Sequence, residues 1–388
     1  MTWHEVSLKQ ICAVDWGNTK LTKSSYVANG KFLAVSAAGA DGLIDYFEHE
    51  ANVPVLSAIG AQCGRMFYPG ERFTAIKNTI TLTPKETMVD GKFLYYLFTH
   101  VELPQRGAGQ PFISKGDIEA FKVSIPESLE EQCEIVEKLD SAFAEIELLE
   151  KNLELSDEKT DQLLQSLLSS AFSSTVDENN SGNTLEDQSI ARKLVSLGEV
   201  CTVINGGTPD TKISKFWNGK HAWITPAEMG NLKSPFLSRS KRTLTDEGLS
   251  NSSAQLVPKH SVIMSSRAPI GHLVINEVPM ASNQGCKSLI PNKNLNYKYL
   301  YYFLYANKQY LNELGSGTTF AEISGSKLKT VLIPLPSPEK QNKVVEKLDS
   351  AFTEIALMKS QIKVEKDYAV ALRQSLLSSA FTQDEAVA

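Results

Sequence analysis

Apolar positions recur at helical spacing in two separate stretches of the chain. Residues three and four positions apart lie on one face of an α-helix, so each stretch predicts a helix with a single apolar stripe. After a polar middle, both stripes resume and end at Phe172 and Phe381. The stripe positions that we expect to pair the helices are Leu139, Phe143, Ile146 and Leu153 in the first stretch and Leu348, Phe352, Ile355 and Ile362 in the second.

The two helical stretches are copies of one another. Residues 132–172 match residues 341–381 without a gap, and 21 of the 41 positions are identical. Pro126 precedes the first copy, as Pro338 precedes the second, and a proline suits the first turn of a helix. A helix of about 45 residues would be about 70 Å long, too long to be buried within one domain. We therefore expect the helices to pack against each other as an antiparallel, coiled-coil-like pair.

The rest of the chain has the pattern of short strands. Runs rich in Val, Ile, Phe and Thr, such as RFTAIKNTITLTP and HAWITPAEM, alternate with Gly, Pro and Asn turns. Each region also carries an aromatic helical segment, GKFLYYLFTH or YKYLYYFLYAN, which we expect in the core. The predicted fold class is α+β, with two mainly-β domains joined by the two long antiparallel helices and a pseudo-two-fold internal repeat. The predicted segments are a first domain at residues 1–125, a first helix at 126–173, a polar linker at 174–192, a second domain at 193–333 and a second helix at 334–382.

Charge is distributed unevenly along the chain, whose net charge is −6. Residues 126–175 carry a net charge of −10, whereas residues 193–333 carry +8. A basic second domain suits contact with phosphate, and the acidic outer face of the first helix suits a basic protein partner.

Cysteine and histidine spacings argue against a metal site or a disulfide framework. The five cysteines include no CxxC pair, and the six histidines include no HExxH motif, so we expect no metal ligand. No run of 18 apolar residues occurs, and the N-terminus lacks the pattern of a signal peptide. The expected location is the cytoplasm, without a membrane partner.

Motifs of the enzymes that act on DNA are missing. The chain has no GxxxxGK[ST] phosphate loop, no NPPY- or DPPY-like tetrapeptide and no glycine-rich cofactor loop after an early strand. We therefore expect a non-catalytic chain that binds no cofactor.

Several phrases together resemble a known family. GGTPDTKISKFWNGKHAWITPAEM, SRAPIG, NQGCKSLIP, PFISKGDI and IPLPSPEKQNKVVEKLD, within the order domain, helix, domain, helix, are similar to the specificity subunit of type I restriction-modification systems. The resemblance covers essentially the entire chain and is weakest in the middle of the first domain. It implies that each domain is a target recognition domain for one half of an asymmetric bipartite site in double-stranded DNA. It also implies that the helices set the spacing of the half-sites and dock two modification subunits. S-adenosylmethionine, ATP and Mg²⁺ would then belong to partner subunits, which can include restriction subunits.

Residue types that contact DNA occur in loops of both domains. Phosphates are bound by Lys, Arg, Ser and Thr, and base edges by Arg, Lys, Asn and Gln. The candidate DNA contacts in the first domain are Lys20, Lys23, Ser24, Ser25, Tyr26, Gln62, Arg65, Arg106, Gln110 and Lys115. Those in the second domain are Thr208, Lys212, Lys215, Trp217, Arg239, Lys241, Arg242, Ser265, Ser266, Arg267, Asn283, Gln284, Lys287, Thr318 and Thr319.

Two other interpretations stay open at this point. The chain could be a two-module scaffold that binds a non-DNA ligand and dimerises through its helices. Salt-dependent, sequence-selective binding of duplex DNA separates that scaffold from a recognition subunit. The chain could also be a methyltransferase of unusual motif order, which cross-linking of labelled S-adenosylmethionine would support.

Overall fold

The computed structural model describes residues 2–172, 193–232, 234–267, 269–315 and 322–382. The linker predicted at residues 174–192 lies outside these ranges. The chain divides into two compact units, Met1–Leu155 with Ile362–Ala388, and Ser156–Gln361. None of the helices in the described ranges has the length and apolar character needed to cross a membrane.

The first unit contains a mainly-β module built from residues 2–126. Its strands are Trp3–Ser7, Cys12–Trp16, Phe32–Ser36, Gly39–Ile44, Val55–Ser57, Met66–Phe67, Phe73–Ala75, Thr79–Pro84 and Lys122–Pro126. Its helices are Leu8–Ile11, the 3₁₀ turn Lys23–Ser25, Gly91–His100 and Lys115–Ala120. Cys12–Trp16 shows the expected alternation, because Cys12 and Val14 are buried while Ala13 and Asp15 are exposed.

The second unit contains a module of the same kind, built from the described parts of residues 193–334. Its strands are Leu194–Ser196, Cys201–Asn205, Trp217–Ile224, Phe236–Leu237, Arg242–Leu244, Val262–Ser265, Leu273–Asn276, Met280–Ser282, Cys286–Pro291 and Leu332–Pro334. Its helices are Leu197–Val200, the 3₁₀ turn Ser214–Phe216, Pro226–Met229, Asp246–Ser250, Tyr297–Ala306, Lys308–Leu314 and Gly325–Lys329.

The two modules share one strand order. In the first module, a four-stranded sheet has the strand order Cys12–Trp16, Thr79–Pro84, Val55–Ser57, Met66–Phe67. The second module repeats this order as Cys201–Asn205, Cys286–Pro291, Val262–Ser265, Leu273–Asn276. A fifth strand, Phe236–Leu237, is added at the edge of the second sheet. Each module also has a three-stranded sheet whose central strand, Phe32–Ser36 or Trp217–Ile224, pairs in parallel with one neighbour and antiparallel with the other. The internal repeat therefore extends from the helices to both modules.

The aromatic helices lie in the cores of their modules, as predicted. Asp90 caps the first by accepting a hydrogen bond from the Phe93 N–H over 2.8 Å, and Asn296 caps the second. Phe93 and Tyr299 are almost fully buried. Burial of a side chain of this size contributes about 1.5–3 kcal/mol, so these helices anchor the modules.

Two helices of 44 residues account for the duplicated tracts. They span Leu129–Phe172 and Pro338–Phe381. Pro338 is the first residue of its helix, as predicted, but the prediction was wrong for Pro126, which ends the strand Lys122–Pro126. Ser128 caps the first helix instead, because its hydroxyl accepts the Glu131 N–H over 3.2 Å.

Within the first unit, the beginning of the first long helix packs against the end of the second. The buried stripe that includes Leu139, Phe143 and Ile146 shares one core with Leu377 and with the aromatic helix. The Arg373 guanidinium lies 4.8 Å from the centre of the Phe143 ring and 3.6 Å from the Glu150 carboxylate. The stripe thus contacts both the module and the partner helix. Leu153 and Ile362 are buried as well.

Within the second unit, the same arrangement is repeated with the helices exchanged. Leu164 and Leu168 share a core with Leu348 and Ile355, and the Lys359 ammonium lies 2.5 Å from the Asp161 carboxylate. Phe352 is half-buried against the Tyr302 ring, with a centroid distance of 5.0 Å. In each unit the start of one helix meets the end of the other, which confirms the antiparallel pairing.

An aspartate in each copy ties its helix to its module. Asp140 accepts hydrogen bonds from the Tyr96 hydroxyl over 2.5 Å and from Lys92 over 2.6 Å. In the second unit, Asp349 accepts from the Tyr302 hydroxyl over 2.5 Å and from Lys298 over 2.7 Å. Both aspartates belong to the LDSAF tract that occurs in each copy, so the two copies make the same contact with their modules.

Candidate nucleic-acid interface

In the first module, four loops meet where the main sheet ends. We call residues 15–23, 57–65, 75–79 and 106–115 the first edge. Backbone hydrogen bonds join these loops: the Gly17 N–H donates to Thr79 O over 2.9 Å, the Ala58 N–H donates to Asn78 O over 2.9 Å, and the Gly60 N–H donates to Pro111 O over 3.0 Å. The first edge therefore gathers candidates that lie up to about a hundred residues apart in sequence.

Three basic candidates of the first edge already have acidic partners. Lys115 lies 3.0 Å from Asp15, Arg106 pairs with Asp117, and Lys23 lies 2.5 Å from Asp41. Burial alone would raise the pKa of Asp41, but hydrogen bonds from Lys23, Tyr26 and Ser36 outweigh burial and hold that pKa below its ordinary value. Such pairs position the side chains but lower their net attraction for phosphate.

A concave surface that encloses about 330 Å³ lies between three loops of the first edge and residues 36–38. Lys23, Gln62 and Lys77 are among the residues that line it, and all three are exposed. Gln62 also accepts a hydrogen bond from Arg65 over 3.2 Å. The surface combines cationic and amide groups, which are the groups that contact phosphates and bases.

In the second module, the equivalent loops form the second edge. We define it as the described parts of residues 205–212, 224–228, 265–271, 282–286 and 322–325. The Gly206 N–H donates to Cys286 O over 3.0 Å, the Gly207 N–H donates to Ser282 O over 2.8 Å, and the Ser266 N–H donates to Gly285 O over 2.7 Å. The Thr208 hydroxyl donates to the side-chain oxygen of Gln284. Thr208, Arg267, Asn283 and Gln284 are thereby brought into one region.

Two tryptophans fix the glycine-rich loop of the second edge. The Trp223 indole donates to Gly207 O over 2.9 Å, and the Trp217 indole donates to Asp210 O over 3.1 Å. The two rings meet edge to face with centroids 5.0 Å apart, and the Arg242 guanidinium lies 3.6 Å from the centre of the Trp217 ring. Arg242 is exposed, so it covers the aromatic pair from the solvent side.

One glutamate organises the charge at the second edge. Glu322 pairs with Arg267 over 2.9 Å and with Lys287 over 3.4 Å. Burial acts to raise the pKa of Glu322, but these two cations outweigh burial and lower it. Among the residues that the structure describes, Lys212 and Arg239 have no carboxylate partner, so their charges remain available to an anion.

Four of the predicted contact residues are buried instead of exposed. Trp217 packs against Trp223, and Lys287 is enclosed beside Glu322. Ser265 and Ser266 are fully buried, and the Ser265 hydroxyl donates to Pro269 O over 2.8 Å. These side chains support the loops from beneath, because long-range strand pairing encloses them. Lys215 is exposed but pairs with Glu247.

The remaining candidate residues differ in their exposure to solvent. Lys20, Ser24, Gln110, Lys241 and Arg239 are exposed, whereas Ser25 and Tyr26 are half-buried. Tyr26 donates to Asp41 over 2.6 Å. Thr318 and Thr319 lie outside the described residues.

Lys77 and Trp223 were missed by reasoning from sequence. Lys77 occupies the turn before the strand Thr79–Pro84, the place that Gln284 occupies before Cys286–Pro291. A usable signal existed, since both strands are six residues long, end in proline and follow a turn-forming Asn78 or Gly285. No group of three or more His, Cys, Asp or Glu side chains in the described parts of the chain is arranged to hold a metal ion.

Comparison with known families decides what this arrangement represents. The family model described as "Type I restriction modification DNA specificity domain" matches residues 1–155 and 192–365. The chain belongs to this family. The two matched regions each contain one mainly-β module, so each module of this DNA specificity domain protein corresponds to one copy of the family domain.

Individual relatives match parts of this specificity-domain protein. The MjaIX specificity subunit of a type I restriction enzyme from Methanocaldococcus jannaschii is 40% identical over 156 residues, which are 39% of this chain and 35% of that protein. The EcoR124I/EcoR124II specificity subunit from Escherichia coli is 32% identical over 161 residues, 40% of this chain and 39% of that protein. The chain thus aligns with well under two thirds of the length of these relatives.

Solved structures match the fold over nearly the whole length. A chain from work on complex assembly and conformational transition of the type I R-M system has a TM-score of 0.74 at 19% identity, with 98% of each chain covered. The HsdS subunit from Thermoanaerobacter tengcongensis has a TM-score of 0.59 at 19% identity, with 98% of this chain and 97% of that chain covered. At this identity the likeness establishes the fold.

Proposed function

We propose that this chain is the DNA-recognition subunit of a type I restriction-modification complex. Each module reads one half of an asymmetric bipartite target in double-stranded DNA, the first through the first edge and the second through the second edge. One observation carries the proposal. The two modules share a strand order and a loop framework, but the side chains exposed at their edges differ. A common framework with different side chains suits two readers of unlike sequence.

The side chains that remain exposed at the two edges have the required chemistry. Lys20, Lys77 and Lys212 suit phosphate contacts, which supply sequence-independent affinity. Gln62 and Gln284 carry the paired donor and acceptor that recognise a base edge in the major groove. The positive charge of residues 193–333 supports DNA as the ligand of the second module.

The long helices complete the proposal as spacers and docking surfaces. Leu148, Tyr368 and Leu357 are 61–66% exposed on these helices, although large apolar side chains usually avoid solvent. We propose that such residues dock two modification subunits, and that the unbroken length of the helices sets the spacing of the half-sites. The chain itself is non-catalytic and acts in the cytoplasm. S-adenosylmethionine, ATP and Mg²⁺ are bound by the modification subunits and by any restriction subunits.

Exchange of one module tests the proposal. Residues 193–333 are replaced by the corresponding region of another specificity subunit, and the methylated positions are sequenced in DNA from cells that also carry the modification subunit. We expect one half of the methylated target to change and the other half to stay. A change in both halves, or in neither while the exchanged protein is folded, would contradict modular recognition. Absence of salt-dependent, sequence-selective binding to duplex DNA would favour the ligand-binding scaffold instead.

A further inference from the structure

One turn occupies the same place in both modules and differs in its central residue. In the first module, Gly17 N donates to Thr79 O and Asn18 N donates to Ala75 O, over 2.9 and 2.7 Å. These bonds fix the ends of the turn at residues 76–78. In the second module, the bonds from Gly206 N to Cys286 O and from Gly207 N to Ser282 O fix residues 283–285 in the same way. Both turns contain three residues between the two acceptors.

Contacts on the other side of the turn also correspond. The Ile76 N–H donates to Val35 O and the Asn283 N–H donates to Ile224 O, each over 2.9 Å, and both acceptors belong to the central strand of a three-stranded sheet. Ala58 and Ser266 make equivalent bonds to Asn78 O and Gly285 O.

Two glycines confirm how closely the frameworks agree. A Cβ atom on Gly17 would collide with the carbonyl oxygen of Ile76, and one on Gly206 would collide with that of Asn283. Each turn is therefore held against a glycine of the neighbouring loop, where no other residue fits. The residues at the centre of the two turns, Lys77 and Gln284, are equivalent in backbone position.

Both central side chains are exposed, and their surroundings orient them differently. The Gln284 amide is held by the Thr208 hydroxyl, which leaves its NH₂ group and one lone pair of its oxygen available. Lys77 lines the concave surface of the first edge beside Thr22 and Gln62. The framework thus holds an oriented amide in one module and an ammonium group in the other at the same point.

From this equivalence we infer that Lys77 and Gln284 are the specificity-determining residues of one shared base position in each half-site. Gln284 reads an adenine through its N6 and N7 atoms, and Lys77 reads a guanine through O6 and N7, because these are the major-groove partners that an amide and an ammonium group match. The inference rests on the proposed DNA-recognition function and deepens it by naming the base and the residue.

The test exchanges the two side chains in the full-length chain, in complex with its modification subunit. For Gln284→Lys we expect one adenine in one half-site to be replaced by guanine, with a change in preference of about tenfold or more. For Lys77→Gln we expect the reverse change in the other half-site. Gln284→Ala should relax that single position without a new preference. Methylated sequences in cells and selection of bound duplexes from a library randomised at the half-sites provide the readouts.

Lys212→Gln is the matched control, because Lys212 is an exposed lysine of the same module outside the turn. It should lower affinity without changing the selected sequence. Unchanged sequence preference in both exchange variants would overturn the inference, as would changes spread over several positions. Complete loss of selective binding by Gln284→Ala with an unchanged unfolding temperature would also overturn it, since Gln284 would then control binding of the whole half-site and not one base position. If module exchange alters a half-site while these variants do not, the proposed function stands and only the base assignment fails.

Discussion

The side-chain oxygen of Gln132 accepts a hydrogen bond from the backbone N–H of Asp90 over 2.9 Å. Gln132 lies in the first turn of the first long helix and is fully buried, and its NH₂ group donates to the carbonyl oxygens of Met88 and Pro126. In the second unit, Gln341 makes the same set of bonds, to the N–H of Asn296 and to the carbonyl oxygens of Asn294 and Pro336. One buried glutamine in each copy therefore joins three backbone groups of its module.

Gln132→Ala should destabilise the protein by about 2 kcal/mol or more, because buried backbone groups would lose their partners and each such loss costs about 1–3 kcal/mol. The measurement is the free energy of unfolding in urea for the full-length chain. Gln162→Ala is the matched control, since Gln162 is an exposed glutamine on the same helix. An equal free energy of unfolding for the two variants would show that the hydrogen bonds of Gln132 do not stabilise the protein.

The helices and the overall architecture could be predicted because their signals are local or repeated. Apolar residues at spacings of three and four predict a helix from local sequence, and the gapless match of residues 132–172 with 341–381 predicts that the same helix occurs twice. The helices were predicted to begin at residues 126 and 334, whereas they begin at Leu129 and Pro338. Pro126 and Pro338 look alike in sequence, but strand pairing with Trp3 retains Pro126 in the sheet.

The candidate interface was less predictable because backbone bonds between distant loops create it. Nothing local in sequence distinguishes the buried Ser265 from the exposed Ser24, since burial of Ser265 depends on pairing with Cys286. The equivalence of Lys77 and Gln284 is likewise carried by main-chain hydrogen bonds, which leave little trace in side-chain identity. Residue type selected these loops as candidates, and only the fold separated the side chains that support them from those that face outward.

Alkaline pH should destabilise the protein through its buried thiols. Burial raises the pKa of Cys12, Cys201 and Cys286 to about 12. An unfolded thiol loses its proton near pH 8.5, so above that pH the unfolded state binds fewer protons than the folded state. The three buried thiols therefore make their full contribution to the free energy of unfolding below about pH 8.5, and this contribution falls as the pH rises towards 12.

The measurement is the unfolding temperature at pH 8 and pH 10.5. Replacing the three buried cysteines with alanine should make its decline with pH shallower, whatever the variant's stability at pH 8. The decline should not vanish, because burial also raises the pKa of Tyr96 and Tyr302 above the ordinary range. Replacing the exposed Cys133 alone serves as the control. An unaltered slope in the triple variant would contradict the assignment.

Trp223→Phe should impair recognition by the second module more than it impairs folding. The substitution keeps an aromatic ring in a nearly fully buried site but removes the donor to Gly207 O, at a cost of about 1 kcal/mol. The glycine-rich loop that carries Thr208 would lose this anchor, so discrimination in one half-site should relax while the other is retained. Selection from randomised duplexes measures both effects. Trp3→Phe, in the other module and away from its edge, should leave both half-sites intact.

Salt dependence separates phosphate contacts from base contacts at the second edge. Each phosphate neutralised by a lysine contributes about 0.9 to the slope of log affinity against log salt concentration, because a condensed counterion is released. Lys212→Ala should therefore reduce that slope by about 0.9 in the complex with the modification subunit, and it should weaken binding equally on matched and mismatched duplexes. Lys259 is another exposed lysine, which precedes Val262–Ser265, the strand whose other end reaches the second edge. Lys259→Ala changes the net charge by the same amount, so a slope that falls equally in both variants would mean that the module attracts DNA by its total charge alone. A fall confined to Lys212→Ala would place phosphate contact at the second edge.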